Sequence, residues 1–152
     1  LYKIIMAKKR KFLKLKRPTV FVPMCLDFLH HGHINILTKS RKYGTVIVGL
    51  MTDKAILSYK KRNTLIKFNQ RKKIAKSIKF VSKVIPLNGP QYYSSTAKKY
   101  KFDYFVHGTD WKKGPQSKSR KELLKTMQNW NGKIIEIKYT KNISSSKIKK
   151  VL

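Results

Sequence analysis

Apolar runs and helix-spaced apolar positions alternate from residue 19 onward. Thr19 to Met24 is β-branched and aromatic and reads as a buried first strand. His31 to about Lys42 carries Ile34, Ile36 and Leu37 on a helical spacing, and Gly44 ends that helix. Thr45 to Met51 is a continuous apolar run, as expected of a parallel strand covered on both faces. Lys54 to Phe68 then breaks the pattern and reads as a polar loop with a basic tip, Ser58 to Asn63. Asn69 to Phe80 predicts a helix with Ile74 and Ile78 inward, Lys83 to Leu87 a third strand, and Gly89-Pro90 a break. Gln91 to Tyr100 predicts a short helix whose Tyr92 and Tyr93 serve either the core or a stacked ligand. Phe102 to His107 reads as the fourth strand, Ser119 to Trp130 as a helix with Leu123, Leu124, Met127 and Trp130 on one face, and Lys133 to Tyr139 as the fifth strand. This alternation predicts an α/β fold: a five-stranded parallel sheet in Rossmann-like winding with helices on both faces. There is no internal repeat, low-complexity linker, Walker loop or Gly-x-Gly-x-x-Gly.

Composition narrows the picture. A chain of 152 residues is expected to form one domain with a real core. Its 37 Lys and Arg against 6 Asp and Glu give a formal charge of +31, which favours polyanion binding. The lysines are spread along the chain rather than gathered in one block, and Lys, Ile, Asn, Tyr and Phe are abundant together, as AT-rich codons would produce. Non-specific nucleic-acid binding at low salt is the expectation that survives. The single Cys25 excludes an internal disulfide and points to a reducing, cytoplasmic setting. No apolar run approaches the ~18 residues of a membrane helix. The chain begins at Leu1, so it reads as a fragment or as starting at Met6. Residues 1–17 are expected to be a basic, disordered arm, whose Ala7 to Arg17 also suits a targeting patch, and 18–152 the domain.

Candidate chemistry gathers at Val22 to His33. A strand ending at Cys25 and a helix starting near Gly32 place unpaired amides and the positive end of a helix dipole at the carboxyl edge of the sheet, where anions bind. His30 and His33, three apart across the turn, can aim two imidazole donors at one point, and Gly32 lets a ligand approach the backbone. A metal cluster and a plain polar turn are the alternatives. One Cys and six acidic residues argue against the metal, and the flanking strand and helix argue against the plain turn. After the fourth strand, Asp110 can accept from a ribose hydroxyl, and Trp111 is either a flat wall for a nucleoside or a packing residue. Ser144, Ser145 and Ser146 either cap a helix or form a second phosphate cradle at its N-terminus.

Asp27 to His33 resembles the His-x-Gly-His signature of the cytidylyltransferase-like nucleotidyltransferases. Ile143 to Ile148 is similar to their Ile-Ser-Thr-Thr/Ser-x-Ile signature, and His107 to Trp111 to their Gly-Asp-Asp-Trp. The opening at Pro23 to Asp27 and the segment Trp111 to Gln116 look most like the cytidylyltransferase domains that accompany phosphoenolpyruvate mutase in phosphonate biosynthesis. The resemblance implies transfer of CMP from CTP to a small phosphorylated or phosphonylated alcohol, with magnesium on the phosphates and a homodimeric assembly. It implies catalytic roles for His30, His33 and Lys60. Nucleotide contacts would come from Cys25, Leu26, Asp27, Gly32, Asp110, Trp111, Ile143, Ser144, Ser145 and Ser146. Acceptor or phosphate contacts would come from Lys61, Arg62, Arg71 and Lys141, and no protein-held metal is implied. Thr109 stands where the family has its first Asp, and Tyr139 where it usually has Arg; Lys138 or Lys141 would supply charge there, without a guanidinium's paired donors. An adenylyltransferase of the same fold and a non-catalytic RNA-binding domain on this scaffold are the competing readings.

Overall fold

The computed structural model describes residues 15–151. In chain order its elements are β1 (Thr19–Met24), α1 (His31–Arg41), β2 (Thr45–Met51), α2 (Asp53–Lys60), α3 (Phe68–Ser77), β3 (Val81–Leu87), α4 (Tyr93–Tyr100), β4 (Tyr104–Gly108), α5 (Ser117–Gln128), β5 (Lys133–Ile137) and α6 (Ser145–Lys149). Short 3-10 turns at Pro90–Tyr92 and Thr109–Lys112 follow β3 and β4. The strands form one parallel sheet in the order β3-β2-β1-β4-β5. The expected fold class is therefore the observed one.

Alternation along each strand divides the core into two layers. Phe21, Ile47, Ile85 and Phe105 face Tyr93 and Ala97 of α4 and Leu123 and Met127 of α5. Val20, Val22, Val46, Val48, Val84 and Val106 point the other way, onto Leu37 of α1 and Ala75 of α3. Full burial of a side chain such as Phe21 or Leu37 stabilises by about 1.5–3 kcal/mol. With both faces covered, β1 and β2 are apolar nearly throughout.

Two expectations change. The segment read as a polar loop from Lys54 to Phe68 begins as a helix, α2. Thr52 caps it by accepting from the Ala55 amide at 3.2 Å, Asp53 sits in its first turn, and Ala55 and Ile56 are buried on its inner face. Three consecutive apolar residues, Ala55, Ile56 and Leu57, carry no helical spacing, although Thr52-Asp53 is a legible start signal.

The expected basic arm lies mostly outside the described residues. Its inner end belongs to the domain: Leu15 packs against the core, and Arg17 donates to both oxygens of Asp103 at 2.8 and 2.9 Å. Among the described residues no helix is long and apolar enough to cross a membrane.

Candidate functional site

The strand order reverses between β1 and β4, so their carboxyl ends diverge and leave a cleft of about 240 Å³. Residues far apart in the chain line it. The β1–α1 turn contributes Cys25, His30, Gly32 and His33, α2 contributes Lys60, the end of β4 contributes His107, Gly108 and Asp110, and the segment after β5 contributes Tyr139 and Ile143 to Ser146. The two turns touch. Ser145 Oγ donates to the Phe28 carbonyl at 3.3 Å, and a Cβ built on Gly32 would lie 3.4 Å from Ile143 Cγ2. That Cβ would also lie 3.0 Å from His30 Nδ1, tighter than an ordinary contact, so glycine gives the histidine ring and the second turn room to approach the same point.

His30 takes an extended conformation, φ −143° and ψ 169°, and α1 starts immediately after it. Its backbone N–H donates to His33 Nδ1 at 3.3 Å. An acceptor Nδ1 puts the imidazole proton of His33 on Nε2, leaving that nitrogen as the donor. Burial, reinforced by His30 and Lys60, pushes the His33 pKa down to about 3. Burial and then His31 lower that of His30. Both rings are neutral at pH 7, which is why their centroids can sit 3.9 Å apart without charge repulsion. His30 Nδ1 is covered and has no partner among the described residues. At the far side, Ser144 caps α6 by accepting from the Lys147 amide at 3.2 Å, and Arg62 donates to Ser146 Oγ at 3.0 Å. The cleft thus combines neutral imidazole donors, hydroxyls, the first-turn amides of two helices and a lysine, a set suited to a chain of phosphates.

Several residues expected at the ligand do other work. Arg71 is fully buried and its donors are committed: Nε to the Ile66 carbonyl at 2.9 Å, one nitrogen to the Cys25 and Met51 carbonyls at 2.5 and 2.8 Å, the other to Asp53 at 2.7 Å. It clamps the carboxyl ends of β1 and β2 and is not an acceptor contact. Asp53 is spent on Arg71, Thr64 and the Phe68 amide.

Asp27 is 4% exposed, accepts from the Leu65 and Ile66 amides at 3.0 Å each, and pairs with Lys149 of α6. Against the upward push of burial, the Ile66 amide and Lys149 hold its carboxyl below the usual range. It ties the α2–α3 loop to α6 rather than meeting a nucleotide. The Leu26 side chain is buried at a positive φ of 55°, so any ligand contact there is through its backbone.

Trp111 resolves to packing: it is 1% exposed, donates to Glu136 at 2.9 Å, and lies parallel to His107 at 4.1 Å and to Phe105 at 5.8 Å. Tyr93 is core and Tyr92 is exposed. Lys61 and Lys141 are exposed beside the site without lining the cleft. The Cys25 thiol touches Met51 sulfur at 3.6 Å, and burial outweighs Lys60 and Arg71 in raising its pKa, so it lines the cleft as a neutral group.

Sequence reasoning missed Lys149 and His107. The pairing of Lys149 with Asp27 spans most of the chain and carries no local signal. His107 stood in a quoted motif but was counted only as the end of a strand. Among the described residues no three His, Cys, Asp or Glu side chains converge as a metal cage, and of the carboxylates Asp110 alone lines the cleft.

Comparison with known proteins bears on the fold and the family. A glycerol-3-phosphate cytidylyltransferase from Staphylococcus aureus is 34% identical over 127 residues, covering 83% of this chain and 88% of the relative. An ethanolamine-phosphate cytidylyltransferase from Arabidopsis thaliana is 28% identical over 145 residues, and there the match takes in 91% of this chain but about a third (33%) of the relative. Among solved structures, a lipopolysaccharide core biosynthesis protein from Thermoplasma volcanium superimposes with a TM-score of 0.66 at 23% identity, over 80% of this chain and 97% of the other. A pantoate-beta-alanine ligase from Francisella tularensis shares the fold at a TM-score of 0.62 and 18% identity, over 95% of this chain and 73% of the other. The pattern that defines cytidylyltransferase-like proteins matches residues 21–151, and the chain belongs to that family.

Proposed function

We propose that this chain transfers CMP from CTP to the phosphate of a small phosphorylated alcohol and releases pyrophosphate. The observation that carries this reading is the closure of the His30–His33 turn and the Ser144–Ser146 turn on one cleft, with Lys60 at its edge. An acceptor phosphate oxygen, already anionic, attacks the α-phosphorus of CTP; the bond from that phosphorus to the bridging oxygen breaks, and the electron pair leaves with pyrophosphate. No general base is needed. The site has to align two anions and stabilise charge as it grows on the α-phosphoryl oxygens and the leaving group. His33, donating from Nε2, and His30 would do so at the α-phosphate, while Lys60 and the serine turn grip the β- and γ-phosphates. Magnesium suits this donor set as part of the substrate, held on the triphosphate rather than by side chains.

For the acceptor, glycerol 3-phosphate is favoured, because the likeness to the staphylococcal enzyme runs nearly the full length of both chains. A phosphonate acceptor has weaker support. Of the two segments that suggested it, Trp111 to Gln116 contributes Trp111, which is buried, and Gln116, which bonds Tyr93 and Tyr59 at 3.0 and 2.9 Å, so the likeness in that segment concerns packing.

The test is pyrophosphate release with CTP, and with ATP for comparison, against glycerol 3-phosphate, phosphoethanolamine, 2-hydroxyethylphosphonate and 2-aminoethylphosphonate. Turnover with CTP and glycerol 3-phosphate is expected. His33→Ala should lower it on the order of a hundred-fold, as loss of one oxyanion donor does. Absence of turnover with every acceptor, or undiminished turnover in His33→Ala, defeats the reading.

A further inference from the structure

A nucleotide site needs an apolar plate for the base, and most aromatic rings near the carboxyl end of β4 are unavailable to be one. Trp111 and Tyr93 are 1% exposed and Phe105 is 0%, interlocked by ring contacts at 5.1 to 6.1 Å. Tyr139 is the contrast. It lines the cleft and is 49% exposed. Its backbone stands two residues past the end of β5, and its hydroxyl approaches the Ile143 carbonyl at 3.5 Å, which holds the ring between the sheet and the serine turn.

Gly108 is the residue between this ring and the carboxylate of Asp110. A Cβ built there would lie 2.6 Å from Asp110 Oδ1 and in ordinary contact, at 3.7 Å, with Tyr139 Cδ2, so the missing side chain lets the carboxylate edge the same part of the cleft as the ring. Asp110 keeps 55% of its side chain exposed. Burial, then the Asp110 charge, raises the pKa of the Tyr139 hydroxyl, which therefore stays neutral. A flat neutral ring beside an exposed carboxylate matches a base attached to a ribose: stacking for the one, an acceptor for the sugar hydroxyls of the other.

Resting on the cytidylyl-transfer reading above, we infer that Tyr139 is the platform on which the nucleobase stacks, with Asp110 receiving the ribose hydroxyls beside it. An arginine at this place, as the resemblance implies for relatives, would add charge near the phosphates. Tyrosine gives up that charge for a stacking face, so phosphate binding falls to Lys60, Arg62 and the serine turn.

The experiment is calorimetric titration of wild type, Tyr139→Phe, Tyr139→Ala and Tyr139→Arg with CTP and, separately, with inorganic tripolyphosphate, both with magnesium. Melting curves accompany each variant to verify folding. A stacked base is typically worth a factor of roughly five to a hundred. Tyr139→Ala should therefore weaken CTP about five-fold or more and leave tripolyphosphate unchanged, Tyr139→Phe should match wild type for both, and Tyr139→Arg should weaken CTP while tightening tripolyphosphate. Equal weakening of both ligands in Tyr139→Ala, or a Phe variant as weak as the Ala variant, assigns the hydroxyl to the phosphates and overturns the inference. Wild type that binds CTP alongside an unaffected Tyr139→Ala also overturns it. Failure of wild type to bind CTP at all defeats the cytidylyl reading itself.

Discussion

Arg71 offers the sharpest separation of a structural role from a catalytic one. Changing it to Met keeps the length of the side chain and deletes every donor. The Ile66, Cys25 and Met51 carbonyls lose their guanidinium partner, and at about 1 kcal/mol for each under-satisfied buried acceptor the cost is on the order of 3 kcal/mol. The broken pair with Asp53 adds little, because that carboxylate is 39% exposed and water replaces the lost partner. For a domain of this size, about 3 kcal/mol lowers the melting temperature by roughly 6–12 °C. The assay is a melting curve on wild type, Arg71→Met and Arg71→Lys, with the acceptor KM measured below every melting transition. The expected result is a large fall for Met, a smaller one for Lys, and an acceptor KM that does not rise on its own. A Met variant that melts with wild type but raises the acceptor KM ten-fold would restore Arg71 as a substrate contact and refute the clamp.

The remaining predictions concern acid and the loop over the site. His33 titrates at about 3 in the folded chain against about 6.5 unfolded, and Glu136 at about 2 against 4.5, the latter held down by Arg120, Lys112 and Trp111 against the upward push of burial. In both cases the unfolded chain binds the proton first, so the stability from these groups is complete above about pH 6.5. It drains as pH falls, through His33 between about 6.5 and 3 and through Glu136 between about 4.5 and 2. In denaturant titrations across this range, His33→Gln should flatten the upper part of the profile and Glu136→Gln the lower; a His33→Gln profile parallel to wild type refutes the assignment. Asp27→Ala strips the Leu65 and Ile66 amides and Lys149 of their shared acceptor. It should cost about 2 kcal/mol and speed proteolysis within residues 61–67, whereas an unchanged cleavage rate would show that the loop is held by something else.

The sequence by itself determined the class of fold and the place where candidate donors gather. A short, β-branched apolar run such as Thr45 to Met51 reads as a parallel strand covered on both faces, and a turn carrying His30, Gly32 and His33 into the first turn of a helix brings donors to the carboxyl edge of the sheet. Those are local properties, written within a dozen residues. What the tertiary structure alone decided is which polar residues face the cleft and which hold the frame. Arg71 and Asp27 were expected at the ligand because the family resemblance carried contact roles onto those positions. Only the packing reveals that one spans the ends of β1 and β2 and the other joins Leu65, Ile66 and Lys149. Trp111 and Tyr139 make the same point in reverse: the indole expected at the base is sealed between His107 and Phe105, and the tyrosine that marked a departure from the family pattern lines the cleft. The physical reason is that burial depends on partners remote in sequence, and no spacing rule within a segment encodes which remote partner will cover a side chain.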